Sequence, residues 1–309
     1  MTKVFIDGSA GTTGLRIRQR LSEREDLELL SIPEQFRKDD GARKDFLNRA
    51  DVAFLCLPDA AAIAAADMVE NPGTVVIDTS TAHRTSPGWV YGFPELFGQR
   101  EKLRRAKRIA NPGCHASGFI ALAAPLVEAG IVPKQALLSC FSLTGYSGGG
   151  KKMIDDYEAN PQTLAAPRMY GLGQNHKHLP EMKKLCGLEN EPIFCPIVSA
   201  YYSGMEVTIP LFASQLSGGM EEITEAYRAY YPGKIVRYAE NADEAGFLGA
   251  ASRAGLDDME ISVYGNEERI TVVSRFDNLG KGASGAAIQN MNLVLGLPEE
   301  TGLNLEVTL

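Results

Sequence analysis

The sequence lacks the cysteine patterns of a disulfide-rich or metal-binding protein. Its five cysteines form no Cys-x-x-Cys pair and no spacing typical of metal ligands. They are scattered along the chain at Cys56, Cys114, Cys140, Cys186 and Cys195. An odd, scattered set of this kind fits a reducing cytosol better than a disulfide framework. We therefore expect a cytoplasmic protein without a bound metal.

Other absences argue against membrane and nucleic-acid partners. No apolar run approaches the roughly 20 residues that a membrane-spanning helix needs, and the first residues show no signal-peptide pattern. Lys and Arg number 31 against 39 Asp and Glu, a net charge of −8. We therefore expect neither nucleic acid nor an anionic membrane as the main partner. An anionic substrate must meet a local basic pocket instead.

The first 110 residues alternate between strand and helix patterns. The strand patterns lie at 3–6, 27–32, 52–57 and 74–77. Such alternation implies right-handed crossovers and a parallel, doubly wound α/β sheet. Beyond residue 128 the pattern changes to longer strands and a hairpin, which predicts a second domain of α+β build. A length of 309 residues also suggests two domains.

A glycine-rich turn follows the first strand and opens a helix. Glycines in this context let the backbone approach a pyrophosphate, and the helix N-terminus supplies N–H donors. The predicted contacts of a dinucleotide are Gly8, Gly11, Thr12, Thr13 and Gly14. The spacing is GxxGxxG rather than GxGxxG, and a purely structural turn is the alternative.

The residues after the second strand bear on the choice of cofactor. An acidic residue about 20 positions beyond the glycines favours NAD, and Glu34 lies there, just after Pro33. Ser31 ends the strand, and Arg37 and Lys38 can meet a 2′-phosphate. The sequence leans towards NADP(H), with Ser31 and Arg37 as contacts.

An Asn-Pro-Gly turn at residues 111–113 delivers Cys114 to the start of an apolar segment with a helical pattern. The N–H groups of a first helical turn are unpaired, and the macrodipole favours negative charge there. A thiol in that place is biased towards the nucleophilic thiolate. We predict that Cys114 attacks a carbonyl carbon. A buried structural cysteine is the alternative.

Three motifs carry a resemblance to a known family. They are Asn-Pro-Gly-Cys at 111–114, His-Lys-His-Leu-Pro-Glu at 176–181 and a Lys-Gly-Ala turn at 281–283 before the closing helix. Segments 91–96 and 145–148 are also similar. Together they resemble N-acetyl-gamma-glutamyl-phosphate reductases, relatives of aspartate-semialdehyde dehydrogenase, in the shorter of the family's two branches.

The resemblance implies a reaction of arginine biosynthesis. N-acetyl-L-glutamyl 5-phosphate would be reduced with NADPH to N-acetyl-L-glutamate 5-semialdehyde, through a thioester on Cys114 and with loss of phosphate. His176 is the expected general acid and base, and His178 is expected to orient the substrate. Both can serve one site only if His176 lies in the loop before the helix, because residues two apart on a helix diverge.

Further contacts follow from the same resemblance. Ser147 and Gly148, in the loop at 145–150, are expected beside the nicotinamide, unless the loop is a flexible hairpin. Lys281 is expected to act on the cofactor by its charge, although an exposed turn lysine is the commoner outcome.

The expected substrate contacts are Arg84, Ser80, Asn111 and Glu181. Arg84 follows a strand at the sheet edge where open α/β folds bind ligands, but its stretch, 78–84, departs from the family pattern. His83 is expected to be exposed, and His115 to pack or cap.

The resemblance implies a Rossmann-like dinucleotide domain of residues 1–113 plus 283–309, to which the closing helix returns, and a catalytic and dimerisation domain of residues 114–282. A homo-oligomer, dimer or tetramer, is expected, with Tyr201, Tyr202 and Met205 at an interface. One alternative is another phosphorylating semialdehyde dehydrogenase, acting on aspartyl or carrier-bound aminoadipyl phosphate. Another is a dinucleotide-binding sensor without turnover.

Overall fold

The computed structural model describes residues 1–9 and 11–306, so Ala10 of the glycine-rich turn and residues 307–309 lie outside the described residues. The chain divides into two compact units: Met1–Pro112 with Ala283–Leu303, and Gly113–Gly282 with residues 304–306. The predicted first domain ran to residue 309, whereas residues 304–306 belong to the second unit. The Asn304 N–H donates to Asp257 at 2.7 Å, and Glu306 pairs with Arg253 at 3.2 Å.

The first unit is built on a parallel sheet. Its strands are β1 (Thr2–Asp7), β2 (Leu27–Leu30), β3 (Val52–Leu55), β4 (Val75–Asp78), β5 (Val90–Tyr91) and β6 (Arg108–Ala110). Its helices are α1 (Thr12–Leu21), α2 (Asp40–Arg49), α3 (Asp59–Asp67), α4 (Gln99–Arg104) and α9 (Gly285–Val294). The order across the sheet is β2-β1-β3-β4-β6-β5, with every pairing parallel. The predicted Rossmann-like sheet and the return of the closing helix are confirmed.

Burial explains which strands of this sheet the sequence revealed. Every residue of β3 and β4 is buried, as expected for parallel strands covered on both faces, and such strands are continuous apolar runs. Sequence reasoning missed β5, β6 and α4, because elements of two to six residues are too short to show a period. Asp59 is the first residue of α3, and its carboxylate accepts from the Thr81 N–H at 2.9 Å.

The second unit holds a mixed sheet. Its strands are β7 (Ser139–Gly145), β8 (Arg168–Met169), β9 (Ile193–Ser199), β10 (Met205–Phe212), β11 (Val236–Tyr238), β12 (Met259–Gly265) and β13 (Arg269–Phe276). Its helices are α5 (Cys114–Glu128), α6 (Gly150–Ala159), α7 (Leu179–Cys186) and α8 (Met220–Tyr230). The strand order is β11-β12-β13-β10-β7-β9-β8, in which β11–β12 and β7–β9 are parallel and the other neighbours antiparallel.

Helix α5 is the central helix of the second unit. Its residues from His115 to Val127 are all buried, so the helix is apolar on every side rather than amphipathic. Gly118 permits its close approach to the sheet, because a Cβ there would lie 2.4 Å from Val207 and 2.9 Å from Phe276. The first residue of this helix, Cys114, therefore sits on a rigid element.

Pro125 lies inside α5 and removes one helical hydrogen bond, since proline has no N–H to offer the carbonyl four residues earlier. That carbonyl belongs to Ala121, and the hydroxyl of Tyr231 donates to it at 2.8 Å. The hydroxyl of Tyr227 donates to the next carbonyl, Leu122, at 2.7 Å. These tyrosines satisfy the backbone around the proline and tie α8 to α5.

Candidate active site

Cys114 is the first residue of α5, as the sequence predicted. Gly113, in an extended conformation, precedes the helix, and the thiol is half-buried. The N–H groups of a first helical turn have no carbonyl one turn earlier to bond, and they carry the positive end of the helix dipole. This is the local environment in which a thiolate is stabilised.

The Lys-Gly-Ala turn packs directly against this cysteine. A Cβ at Gly282 would lie 2.9 Å from the Cβ of Cys114 and 3.1 Å from the Asp277 carbonyl oxygen, so only glycine fits without a shift. The turn belongs to a π-helical segment, Gly280–Ser284. Lys281 is 0% exposed. The alternative of an exposed turn lysine is therefore wrong.

The two predicted histidines lie side by side. His176 is in the loop before α7, and His178 is the residue that precedes the helix. Their ring centroids are 4.6 Å apart and nearly perpendicular. The backbone N–H of His178 donates to Nδ1 of His176 at 3.2 Å. This bond leaves the proton of neutral His176 on Nε2. The condition set by the sequence, His176 in a loop, is met.

Glu181 links the histidine motif to the cysteine turn. Its side chain is 1% exposed, and Oε2 accepts from the backbone N–H of Gly113 at 3.3 Å. Oε1 lies 3.9 Å from Nε2 of His178. The sequence placed Glu181 against substrate, whereas these contacts favour a positioning role between Gly113 and His178.

Sequence reasoning did not find Tyr170. His115 is buried and bonds through Nδ1 to the Ser142 hydroxyl at 2.6 Å and through Nε2 to the Tyr170 hydroxyl at 2.7 Å. Burial, with His176 nearby, lowers the pKa of His115 to about 3, so it is a neutral packing residue and not a base for the thiol. Burial and the neighbouring Cys114 raise the pKa of Tyr170. The ring of His176 lies near the rings of His115 and Tyr170, with centroid distances of 5.9 Å and 6.0 Å.

The glycine-rich turn of the first unit has the steric character of a dinucleotide turn. Gly8 has φ +87°, and a Cβ there would lie 2.2 Å from the Cys56 carbonyl oxygen; a Cβ at Gly14 would lie 2.5 Å from the Gly8 carbonyl oxygen. Thr12 and Thr13 open α1, whose first turn carries no acidic residue. The open helix start therefore suits a pyrophosphate.

A cavity of about 290 Å³ adjoins this turn, and Gly8, Ser31 and Arg37 are among its lining residues. Glu34 lines it too and forms an ion pair with Arg37 at 3.1 Å. The cavity runs from the glycine turn to the residues after β2, where the ribose of a bound dinucleotide lies in such folds. Of the predicted cofactor residues of this unit, Gly8, Ser31 and Arg37 line this cavity, whereas Gly11, Thr12, Thr13 and Gly14 are not among its lining residues. Arg18, on α1, also lines it and was not singled out from the sequence.

Ser147 and Gly148 lie in a 3₁₀ segment, Tyr146–Gly149, that follows β7. The Ser147 hydroxyl is buried and accepts from the Asn278 amide at 3.0 Å, while the Asn278 side-chain oxygen accepts from the Gly204 N–H at 2.9 Å. The loop is therefore held by its neighbours, and the alternative of a flexible hairpin does not apply. Gly148 is exposed.

Ser80 and His83 surround a buried carboxylate. The Ser80 hydroxyl donates to Oδ2 of Asp78 at 2.7 Å, and Nδ1 of His83 lies 2.6 Å from the same oxygen. The His83 ring stacks on Trp89 at 3.9 Å. The expected exposure of His83 is wrong, because the buried Asp78 holds it inside. These bonds favour a structural role for Ser80.

Arg84 and Asn111 join the ends of β4 and β6. Arg84 donates through Nε to the Asn111 carbonyl at 3.0 Å and through Nη2 to the Thr79 carbonyl at 3.3 Å. The Asn111 amide donates to the Ala283 carbonyl at 3.0 Å and accepts from Asn290 at 3.2 Å. Nε and Nη2 of Arg84 thus donate to backbone carbonyls, so fewer of its N–H donors are left for a substrate anion. Asn290, on α9, gave no signal in the sequence.

No cluster of three or more metal-ligating side chains occurs within residues 1–9 and 11–306. In the same residues no helix is long and apolar enough to cross a membrane.

Comparison with protein families gives two matches. The family described as semialdehyde dehydrogenase, NAD binding domain, matches residues 32–106. The family described as semialdehyde dehydrogenase, dimerisation domain, matches residues 114–278. The chain is 46% identical to N-acetyl-gamma-glutamyl-phosphate reductase 2 of Nostoc sp., over 97% of this chain and 99% of the relative. It is also 46% identical to N-acetyl-gamma-glutamyl-phosphate reductase of Brucella ovis, over 95% and 99%.

Solved structures share the fold at low identity. Aspartate semialdehyde dehydrogenase II of Vibrio cholerae, complexed with ASA, superposes with a TM-score of 0.74 at 17% identity, over 96% of this chain and 98% of that one. Aspartate semialdehyde dehydrogenase of Candida albicans, solved with NADP, gives 0.68 at 16% identity, over 96% and 99%. Their likeness concerns the fold.

Proposed function

Because the chain belongs to the N-acetyl-gamma-glutamyl-phosphate reductase family, we propose that it reduces N-acetyl-L-glutamyl 5-phosphate to N-acetyl-L-glutamate 5-semialdehyde, with NADPH as reductant and phosphate as leaving group. The observation that carries the chemistry is Cys114 at the start of α5 with the His176–His178 pair gathered around residues 113–115. Nucleophile, proton carrier and helix N-terminus are the parts that acyl transfer to a thiol requires.

In the proposed reaction, the Cys114 thiolate attacks the acyl carbon. A carbon–sulfur bond forms, the bond from carbon to the phosphate oxygen breaks, and phosphate leaves with the electron pair. N–H groups at the start of α5 stabilise the oxyanion of this step. Once hydride from the cofactor has reduced the thioester, His176 would move a proton on and off the substrate oxygen while the carbon–sulfur bond breaks, the Cys114 thiolate re-forms and the aldehyde is released. We propose that His178, supported by Glu181, orients the substrate.

The described residues fit NADP(H). Gly8, Gly11, Thr12, Thr13 and Gly14 would hold the pyrophosphate at the open start of α1, because Gly8 and Gly14 leave no room for a side chain and the first turn of α1 carries no acidic residue. Ser31 and Arg37 would hold the adenosine ribose, and Ser147, Gly148 and Lys281 would lie towards the nicotinamide. When bound, the cofactor supplies the hydride that reduces the thioester.

The test is the reverse reaction, NADP reduction by N-acetylglutamate semialdehyde plus phosphate. We expect turnover with this aldehyde and little with aspartate semialdehyde. A preference for aspartate semialdehyde would overturn the substrate assignment. Cys114→Ser should abolish turnover yet bind NADPH as the wild type does, and retained turnover would refute the nucleophile. Cys195→Ser is the matched control, because Cys195 is also half-buried and should be dispensable.

We further propose that the chain forms a homo-oligomer through the outer face of the second sheet. Support comes from exposed apolar residues on that face, Phe141 (43% exposed), Ile193 (62%) and Phe212 (58%), and from the match to a dimerisation domain. Met205, expected at an interface, is 0% exposed and lies in the core. Ile193→Asp should lower the mass measured by light scattering, whereas Leu137→Asp, exposed outside the strands, should not. An unchanged mass in both variants would refute this face.

We also propose a cytoplasmic location. All five cysteines are free thiols, which suits a reducing compartment. Cell fractionation tests it, and recovery in an oxidising extracytoplasmic fraction would contradict it.

A further inference from the structure

We propose that Arg18 and Arg37 form the subsite for the 2′-phosphate of NADP(H), and that Arg18 sets the preference of this chain for NADP(H) over NAD(H). The inference deepens the cofactor part of the proposed function and rests on it. The two guanidinium groups belong to separate elements and line one cavity.

The geometry brings both arginines to the same space. Arg18 lies on α1, one helical turn beyond Leu15, and both line the cavity. Arg37 follows the short 3₁₀ turn after β2 and lines the cavity as well. Ser31, between β2 and that turn, lines the same cavity. A phosphate on the ribose would therefore share this cavity with guanidinium groups from two separate elements, and guanidinium binds phosphate well.

Among the charged residues that line the cavity, Arg18 is the cation that is not paired with a lining carboxylate. Asp7 is one acidic lining residue, and it is neutralised by Arg43 at 2.8 Å. Glu34 is the other, and it is paired with Arg37. Within residues 1–9 and 11–306, the Arg18 guanidinium has no hydrogen bond or ion pair. Since Arg43 and Arg37 hold the two lining carboxylates, Arg18 is the lining cation that is left to meet an anion.

The Glu34–Arg37 ion pair is weak enough for a phosphate to replace Glu34 as the partner of Arg37. The side chains are 84% and 48% exposed, and such surface pairs contribute at most about 1 kcal/mol. A 2′-phosphate carries close to two negative charges near pH 7, so it competes with Glu34 for Arg37. Without Arg18, the carboxylate of Glu34 would favour a free 2′-hydroxyl and hence NAD(H). Arg18 reverses that balance.

The experiment measures binding, not turnover. Wild type, Arg18→Gln and Arg37→Gln are titrated by calorimetry with adenosine 2′,5′-bisphosphate and with 5′-AMP, which differ in the 2′-phosphate alone. Each variant should bind the bisphosphate roughly 10- to 100-fold more weakly, as expected for a lost charge-assisted hydrogen bond. Binding of 5′-AMP should stay within about twofold, because the contacts to adenine and the 5′-phosphate are unchanged.

Two further variants separate the 2′-phosphate contact from general charge effects. Arg16→Gln removes the same charge from the same helix at a position that does not line the cavity, and it should bind both nucleotides as the wild type does. Glu34→Gln releases Arg37 and removes a negative charge, so it should bind the bisphosphate several-fold more tightly.

The outcomes are decisive in either direction. Unchanged affinity of Arg18→Gln for the bisphosphate overturns the assignment of Arg18, and so does an equal loss for both nucleotides or an equal loss in Arg16→Gln. Neither probe contains an acyl phosphate, so these results are independent of the reaction proposed for Cys114. A protein that binds the bisphosphate as expected but reduces no acyl phosphate would refute the proposed reaction and leave this subsite standing.

Discussion

The cofactor cavity of the first unit and the cysteine site of the second unit draw on the chain in different ways. The residues that line the cavity all come from one section of the chain, between residues 5 and 37, which forms a strand, a turn, a helix and a second strand. The cysteine site gathers Cys114, Tyr170, His176, Glu181 and Gly282 from separate segments. Local rules of turn and helix formation can build the cavity, whereas the cysteine site exists only after distant segments have packed.

The difference also shows in what each glycine does. Gly14 is needed for the shape of its own turn, because a Cβ there would meet the backbone of Gly8 and Ser9. Gly8 is needed where the turn approaches the Cys56 carbonyl after β3, within the same unit. Gly282 is needed for a contact with Cys114, in a different element. Substitutions should therefore affect the two sites separately, and the following experiments test that separation.

The largest effect is expected in the reactivity of the cysteines. Burial raises the pKa of Cys56 to about 12 and also raises the pKa values of Cys140 and Cys186. Near neutral pH, iodoacetamide should modify Cys114 roughly 100-fold or more faster than these three, since the thiolate is the nucleophile. Mass mapping of the labelled peptides measures this order.

The same labelled protein sharpens the comparison. Alkylation at Cys114 should abolish turnover and leave binding of adenosine 2′,5′-bisphosphate at the cavity unchanged. Labelling of Cys195 before Cys114 would contradict activation by the start of α5.

The next effect is expected from Gly282→Ala. The new methyl would lie 2.9 Å from the Cβ of Cys114 and would displace the cysteine. Even a displacement of a fraction of an ångström lowers the rate of nucleophilic attack. We expect kcat to fall by roughly 100-fold with unchanged bisphosphate affinity. Gly233→Ala is the control, because no atom lies within 4 Å of its new methyl. Equal losses in both variants, or a loss of nucleotide binding, would break the separation of the two sites.

Tyr231→Phe should destabilise the second unit. It leaves the Ala121 carbonyl, already without its helical partner because of Pro125, buried and unpaired. We expect a loss of about 1–3 kcal/mol in the free energy of unfolding, measured by urea denaturation. Hydrogen exchange should accelerate in α5 and not in α1. Tyr230→Phe, which removes an exposed bond to Glu128, should cost less; an equal cost would refute the role of Tyr231.

The smallest effect concerns pH. Burial lowers the pKa of His115 to about 3, against about 6.5 in an unfolded chain. Between these two pH values His115 is therefore protonated in the unfolded state and neutral in the native state. This stability is fully present above about pH 6.5 and is lost as the pH falls towards 3. From pH 7.5 to 5.5 the wild type should lose about 1 kcal/mol more than His115→Gln. Equal losses by urea denaturation at the two pH values would contradict a buried neutral His115.

Sequence reasoning succeeded where a residue's partners lie nearby along the chain. The glycine turn, the parallel sheet and the start of α5 follow from local patterns, and the family resemblance supplied the histidine pair and the Lys-Gly-Ala turn. It failed for Tyr170, whose partner His115 is far away in sequence. It also failed for His83, although Asp78 is only five residues earlier, because the burial of Asp78 depends on how the sheet is packed. For Lys281 the sequence left both a cofactor contact and an exposed turn lysine as alternatives, because exposure is a property of the packed fold.

By itself, then, the sequence determined the order of elements, the nucleotide turn and the place of Cys114, because hydrophobic period, glycine and the asymmetry of a helix are encoded within a few residues of one another. Only the tertiary structure decided that Gly282 touches Cys114, that Glu181 reaches the Gly113 N–H and that Arg18 faces the same cavity as Arg37. Such contacts depend on how whole elements pack, and packing is fixed by the summed burial of many side chains rather than by any single segment.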